Sequence, residues 1–177
     1  HKITMDNYAA VVTGLGMDQT LKVYPVSGSW NMGTGRYYNS PQTTDGVSWE
    51  YRNFSGSVAE GAITWQTGGT FGAYATASYS SSINTGGGNW YTGSNVGLDV
   101  IQEKVFSYGQ GIDLNIDVTD TVKTWYTNSL ASNTKGFPNN GFLVKQSSSR
   151  EFVNNTNFQA TFRYFSIDTN TIYPPAL

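Results

Sequence analysis

Apolar and polar residues alternate in short stretches along this chain, and glycine-rich segments separate those stretches. Leu21-Lys22-Val23-Tyr24-Pro25-Val26 alternates and predicts a half-buried strand, with Pro25 marking a sheet edge or a strand end. Val47-Ser48-Trp49-Glu50-Tyr51-Arg52 alternates in the same way. Ile63 and Trp65 keep period 2 ahead of a Gly-Gly turn, and Tyr74 to Tyr79 alternates Tyr and Ala with small polar residues. The clearest strand runs from Ile112 to Val118, with Ile112, Leu114, Ile116 and Val118 on one face. Gly141-Phe142-Leu143-Val144-Lys145 is a continuous apolar run, the pattern of a central strand. Ala160 to Ile167 sets Phe162, Tyr164 and Ser166 on one face, with Phe165 and Ile167 on the other. Ile3 to Leu15 fits a strand and a short helix equally well.

One helix is predicted, over residues 120–127, with Val118, Val122 and Trp125 at spacings of three and four. Asp117 or Thr119 caps it. Between the periodic stretches lie long loops, at Ser29 to Gly46, Ser80 to Gly97 and Asn128 to Asn140. Loops of that length in compact domains are functional or packed on themselves. Many short strands, long loops and one helical turn predict an all-β fold, an antiparallel β-sandwich with jelly-roll-like wiring. The 177 residues suit a single domain spanning 1–177.

Composition narrows the function. Charged residues make up 12% of the chain, half of what a soluble domain usually carries. Ser, Thr, Asn and Gly together number 75. A net charge of −2 with four Arg and six Lys leaves no basic footprint for nucleic acid. No apolar run approaches the roughly 20 residues of a membrane span. His1 is the single histidine and cysteine is absent, which removes zinc sites of the usual kind, Cys nucleophiles and His-based triads. Paired carboxylates are the catalytic option left, and Asp113, Asp117 and Asp120 lie close together in sequence. Outward-facing strand acids and a helix cap are the plainer reading, so no enzyme is expected. Calcium held by loop oxygens is the softer alternative, with Asp6, Asp18, Asp45 and Asp99 as candidate ligands. No other cofactor is expected.

Four segments, in order, carry a resemblance. Ser29-Trp30-Asn31-Met32-Gly33-Thr34-Gly35 is similar to a Trp-x-x-Gly-x-Gly loop. Asp45-Gly46-Val47-Ser48-Trp49-Glu50-Tyr51-Arg52, followed by Trp65-Gln66-Thr67-Gly68-Gly69, resembles an Asp-Gly-x-x-Trp-x-x-Arg strand and a later Trp-x-x-Gly-Gly turn. Asp117 to Trp125 matches an Asp-Val-Thr-x-x-Val-x-x-Trp capped helix, with Asn140 to Lys145 as the strand after it. Phe165 to Pro175 resembles a Ser-x-Asp/Glu turn leading to a last strand. Together they resemble the DNRLRE, or disaggregatase-related, β-sandwich module, which is close to carbohydrate-binding modules of secreted proteins and similar to domains of tailed-phage structural proteins. The resemblance covers about residues 20–177. The acidic and Arg-rich string that names the family has no counterpart before Leu21, and its last strand is missing beyond Leu177. Both ends therefore read as those of a fragment of a longer polypeptide.

These motifs are structural in content. Trp30, Trp49, Trp65 and Trp125 are expected in the core, Arg52 on a carboxylate or on loop carbonyls, and Asp45 in a turn. For carbohydrate, which stacks its apolar faces on flat rings, the candidates are Tyr37, Tyr38, Trp90 and Tyr91. The same rings also read as anchors that pin long loops. What the resemblance and the composition imply is a non-catalytic structural or adhesive module of a virion or extracellular surface assembly. Its partners would be copies of itself or other structural proteins. The alternative is a carbohydrate-binding module of a secreted polysaccharide-active protein.

Overall fold

A computed structural model describes residues 2–14, 18–35, 40–41, 43–57, 61–65, 75–77, 87–93, 98–129, 136–146, 160–166 and 172–177. In chain order the first strands are β1 (Thr4–Asn7), β2 (Ala9–Thr13), β3 (Gln19–Pro25), β4 (Tyr51–Asn53), β5 (Ile63–Thr64) and β6 (Ala75–Ala77). Then come β7 (Asn89–Tyr91), β8 (Gln102–Phe106), β9 (Leu114–Asp117), helix α1 (Thr119–Ser129), β10 (Phe142–Gln146) and β11 (Thr161–Tyr164). Every described pairing is antiparallel: β1 with β9, β3 with both β8 and β10, β2 with β11, β4 with β5, and β6 with β7. The fold is all-β with one short helix.

The undecided N-terminal stretch forms two strands, β1 and β2. β3 is the middle strand of its sheet, so Pro25 marks a strand end. Val26 N–H donates to the Gly141 carbonyl on the β10 side, at 3.0 Å. Pro25 nitrogen therefore faces the other neighbour, β8, whose pairing has already stopped at Val23. No ladder bond is lost.

Two expectations are corrected, and one strand, β8, is added to those the pattern predicts. Among the described residues β10 flanks β3 and pairs with it alone, so its apolar run does not make it central. The run instead serves the strand's two faces: Phe142 packs on both hydrophobic clusters, and Leu143 lines a surface hollow near Trp30. The strand expected over 47–52 is confined to β4, because the chain bends at Trp49 and Glu50. β8 had no apolar alternation to announce it, since Gln102, Lys104 and Phe106 share its inner face. Lys104 ammonium stands 5.4 Å from the Phe106 ring centre and donates to the Asp113 carbonyl at 2.6 Å.

The main core joins Met5 of β1, Leu21 and Val23 of β3, Phe106 of β8, Leu114 and Ile116 of β9, and Val118. Phe162 and Tyr164 of β11 pack against it, as their shared face predicts. A second cluster of Val100, Trp125 and Phe137 lies under α1, and Val122 and Phe142 touch both. Two threonines are buried on the helix and satisfied there. Thr121 hydroxyl donates to the Val100 carbonyl and Thr124 hydroxyl to the Asp120 carbonyl.

The helix cap is settled by hydrogen bonds. Val118 carbonyl accepts the first helical bond, from Val122, and Asp117 carboxylate accepts Thr119 N–H at 3.0 Å. Thr119 is not free to cap, because its hydroxyl oxygen accepts Ile3 N–H at 2.8 Å. Hydrogen bonding to Thr119, with smaller help from Lys2 and Lys123, holds the Asp117 carboxyl below its ordinary 3.8. A depressed folded value means the stabilisation is complete above the ordinary value and is lost as pH falls beneath it. Helical circular dichroism is therefore expected to decline below about pH 4 in the native chain, and less so in Asp117→Asn. Identical acid profiles for the two would remove this cap from the account.

Candidate functional site

Two loop segments are locked together at a pair of glycines. Gly33 and Gly46 have φ of +80° and +92°, a left-handed conformation that glycine adopts without steric cost. Their backbones cross so closely that a Cβ on Gly46 would lie 2.6 Å from Gly33 Cα, and one on Gly33 2.5 Å from the Asp45 carbonyl oxygen. Asp45 carboxylate accepts the N–H and hydroxyl of Thr34, both at 2.9 Å. Gly46 N–H donates to Phe54 O at 2.7 Å, and Asn31 N–H to Arg52 O at 3.0 Å. Residues 29–35 are thus tied along residues 45–54.

This frame holds Trp30 at the surface. Its indole N–H donates to the Asn140 carbonyl at 2.7 Å, which fixes the ring, yet the side chain stays 42% exposed. Trp30 borders an apolar hollow of about 170 Å³, lined also by Val26, Val47, Trp65, Phe142 and Leu143. It also borders a polar one of about 150 Å³, formed with Ser29, Asn31, Arg52, Asn53 and Ile63. A third, of about 360 Å³, shares Arg52 and Ile63 with the second and adds Ser27, Gly28, Thr64 and Asn89.

The tryptophans distribute against expectation. Trp65 and Trp125 are buried, at 5% and 8% exposure, as their patterns predict. Trp65 indole N–H donates to the Ser48 carbonyl, whereas that of Trp125 has no partner among the described residues. Trp30 and Trp49, expected in the core, are 42% and 50% exposed. Trp30 alternates with Met32 alone, among Ser29, Asn31 and glycines, and both side chains face solvent. Around Trp49 alternation exists, but the backbone bend turns Val47 and Trp49 towards solvent.

Trp90, expected among the sugar-stacking rings, is instead buried at 7%. Tyr24 packs 4.9 Å from its ring centre, and Lys145 ammonium sits 4.0 Å over it. No face is left for a ligand. Tyr91 stacks on Phe137 at 4.1 Å with ring planes 13° apart, and burial pushes its phenol pKa up. Trp90 thus packs on strands β3 and β10 and Tyr91 on the loop before β10, and Tyr37 and Tyr38 lie outside the described residues. Arg52, as expected, binds loop oxygens: its Nη1 donates to Ser29 O at 2.7 Å and to Ser29 Oγ at 3.1 Å.

The carboxylates are engaged in structural bonds. Asp113 accepts Ala9 N–H at 2.8 Å, Asp99 accepts Ile101 N–H, and Asp120 pairs with Lys123 at 3.2 Å. Asp6 accepts from the Asn115 side-chain amide, across the β1–β9 pair. An open hollow of about 550 Å³ collects Asp99, Asp117 and Asp120, but Lys2 and Lys123 stand among them. Asp117, with its pKa lowered, is displaced away from a general acid's requirement. The candidate calcium ligands Asp6, Asp18, Asp45 and Asp99 do not converge. Among the described residues no three acidic or His side chains come together where a metal ion could be held.

No protein-family model, curated protein or solved structure matches the chain. The candidate site therefore rests on this chain's own geometry, and its residues are Trp30, Asn31, Arg52 and Asn53.

Proposed function

We propose that the chain is a non-catalytic attachment module of β-sandwich architecture, part of a virion or extracellular surface assembly. One observation carries this reading. Large apolar side chains stand out from a rigid, glycine-crossed loop frame, with Trp30, Met32, Val47 and Trp49 all exposed. Exposed aromatics held on a fixed frame suit a covering partner, because little rotamer entropy is lost when they are buried. The low charge of the chain favours the same use, since few long charged side chains would need desolvation. The DNRLRE resemblance points in this direction, with copies of the chain or other structural proteins as partners. No helix among the described residues is long and apolar enough to cross a membrane.

Sedimentation velocity of the native chain is expected to show concentration-dependent self-association. A Met32→Ser/Trp49→Ala double variant should weaken it at unchanged circular dichroism. A native chain that stays monomeric throughout, and that turns over a polysaccharide, would contradict the proposal.

The second reading, polysaccharide binding, is favoured by a specific observation too. The half-exposed Trp30 ring adjoins the amides of Asn31 and Asn53 and the guanidinium of Arg52. That combination of flat apolar surface and planar polar groups moves the candidate sugar platform from Trp90 and Tyr91 to Trp30.

A further inference from the structure

We infer that the cleft between Trp30 and Arg52 takes an acidic saccharide, a sugar ring bearing a carboxylate. The inference rests on the attachment reading and specifies what the module attaches to. Three adjoining hollows surround Trp30 and Arg52, and Arg52 is the only charged residue lining them among the described residues. No carboxylate among those residues pairs with it; the ion pairs there are Lys2–Asp117, Lys22–Glu103 and Lys123–Asp120. A guanidinium has five N–H donors in a rigid fork. Nη1 is spent on Ser29, which fixes the plane of the group and leaves Nη2 and Nε for a ligand. Such a fork matches a carboxylate with two parallel hydrogen bonds.

The neighbours decide that the anion belongs to a sugar. A lone Arg gives no repeated positive charge for a phosphate backbone. Trp30 supplies a flat surface that its bond to Asn140 holds still, so a pyranose face can stack there without ordering the ring first. Asn31 has its side-chain oxygen occupied by Gly33 N–H, which turns its amide NH₂ into the available donor for a sugar hydroxyl. Asn53 adds a second amide on the same wall. The larger hollow beside Arg52, at about 360 Å³, lies within the range of small-ligand sites, roughly 300–1,000 Å³. Apolar stacking and a single fixed charge therefore meet in one place.

The test uses the full chain and a panel of uronate oligosaccharides, each paired with its carboxyl-reduced neutral counterpart, on an array and then by calorimetry. At least one uronate is expected to bind about tenfold or more tightly than its reduced partner. Trp30→Ala should abolish binding of that uronate. Arg52→Gln should reduce its affinity to that of the neutral sugar, and Arg52→Lys should restore only part of the difference. Arg52 also ties Ser29, so the native chain's preference for the acidic over the reduced member is the deciding measurement, whatever the folding of these variants. Equal binding of the two members overturns the inference but leaves the attachment reading standing. Binding of no uronate, alongside self-association of the chain, does the same. Neither glycan binding nor self-association would remove both.

Discussion

Gly46→Ala is expected to lower the melting temperature by about 6–12 °C, corresponding to roughly 3 kcal/mol in a domain of this size. Two effects add. The left-handed backbone at Gly46 costs a non-glycine residue about 1–2 kcal/mol. The new methyl would also press on Gly33 Cα and N at 2.6 Å and on the Met32 carbonyl carbon at 2.7 Å. These are backbone atoms, so no rotamer change relieves the contact. Gly56→Ala separates the effects: its φ is +96°, but a Cβ there meets nothing within 4 Å. Only the conformational part should remain, about 1 kcal/mol. Equal losses for both variants, measured by thermal unfolding, would mean that the two loop segments do not cross at these glycines.

Phe106→Ala should remove about 3–5 kcal/mol of unfolding free energy. Phe106 is 1% exposed at the centre of the main core and packs 4.9 Å from Phe162 across it. Its neighbour on β8, Val105, points the other way and is 51% exposed, so Val105→Ala should cost well under 1 kcal/mol. Side chains alternate faces along a strand, and a slip of one residue exchanges the two sets. Urea unfolding midpoints of the two variants therefore read the register of β8 directly. Comparable losses would place the strand one residue away from its pairing of Leu21 with Lys104 and Lys22 with Glu103.

The contrast between these residues explains what could be read from the chain. β9 was legible because Leu114, Ile116 and Val118 keep strict alternation, and all three are buried. The helix was legible from Val122 and Trp125, although it runs over Thr119–Ser129, beyond the predicted 120–127. β8 was not, since its inner face mixes Gln102 and Lys104 with Phe106 and solves the polarity by reaching Asp113 O. Tryptophan placement was the larger difficulty. Residue type argues for burial of every Trp, but position in space depends on backbone bends and glycine crossings that involve residues far apart in sequence. Trp30 reaches Asn140 across 110 positions, and nothing near either residue signals the partnership. Arg52 was legible as a loop clamp; its unused donors were not, because they depend on which carboxylates fail to arrive.

Each claim about binding depends on which rings face solvent, and tryptophan fluorescence measures that directly. Five tryptophans emit, and acrylamide quenching of the native chain should resolve an accessible class and a protected class. The accessible class should vanish in a Trp30→Phe/Trp49→Phe variant and persist in Trp90→Phe. An accessible class that survives the double change, or that disappears with Trp90, would contradict the assignment of the exposed aromatic face.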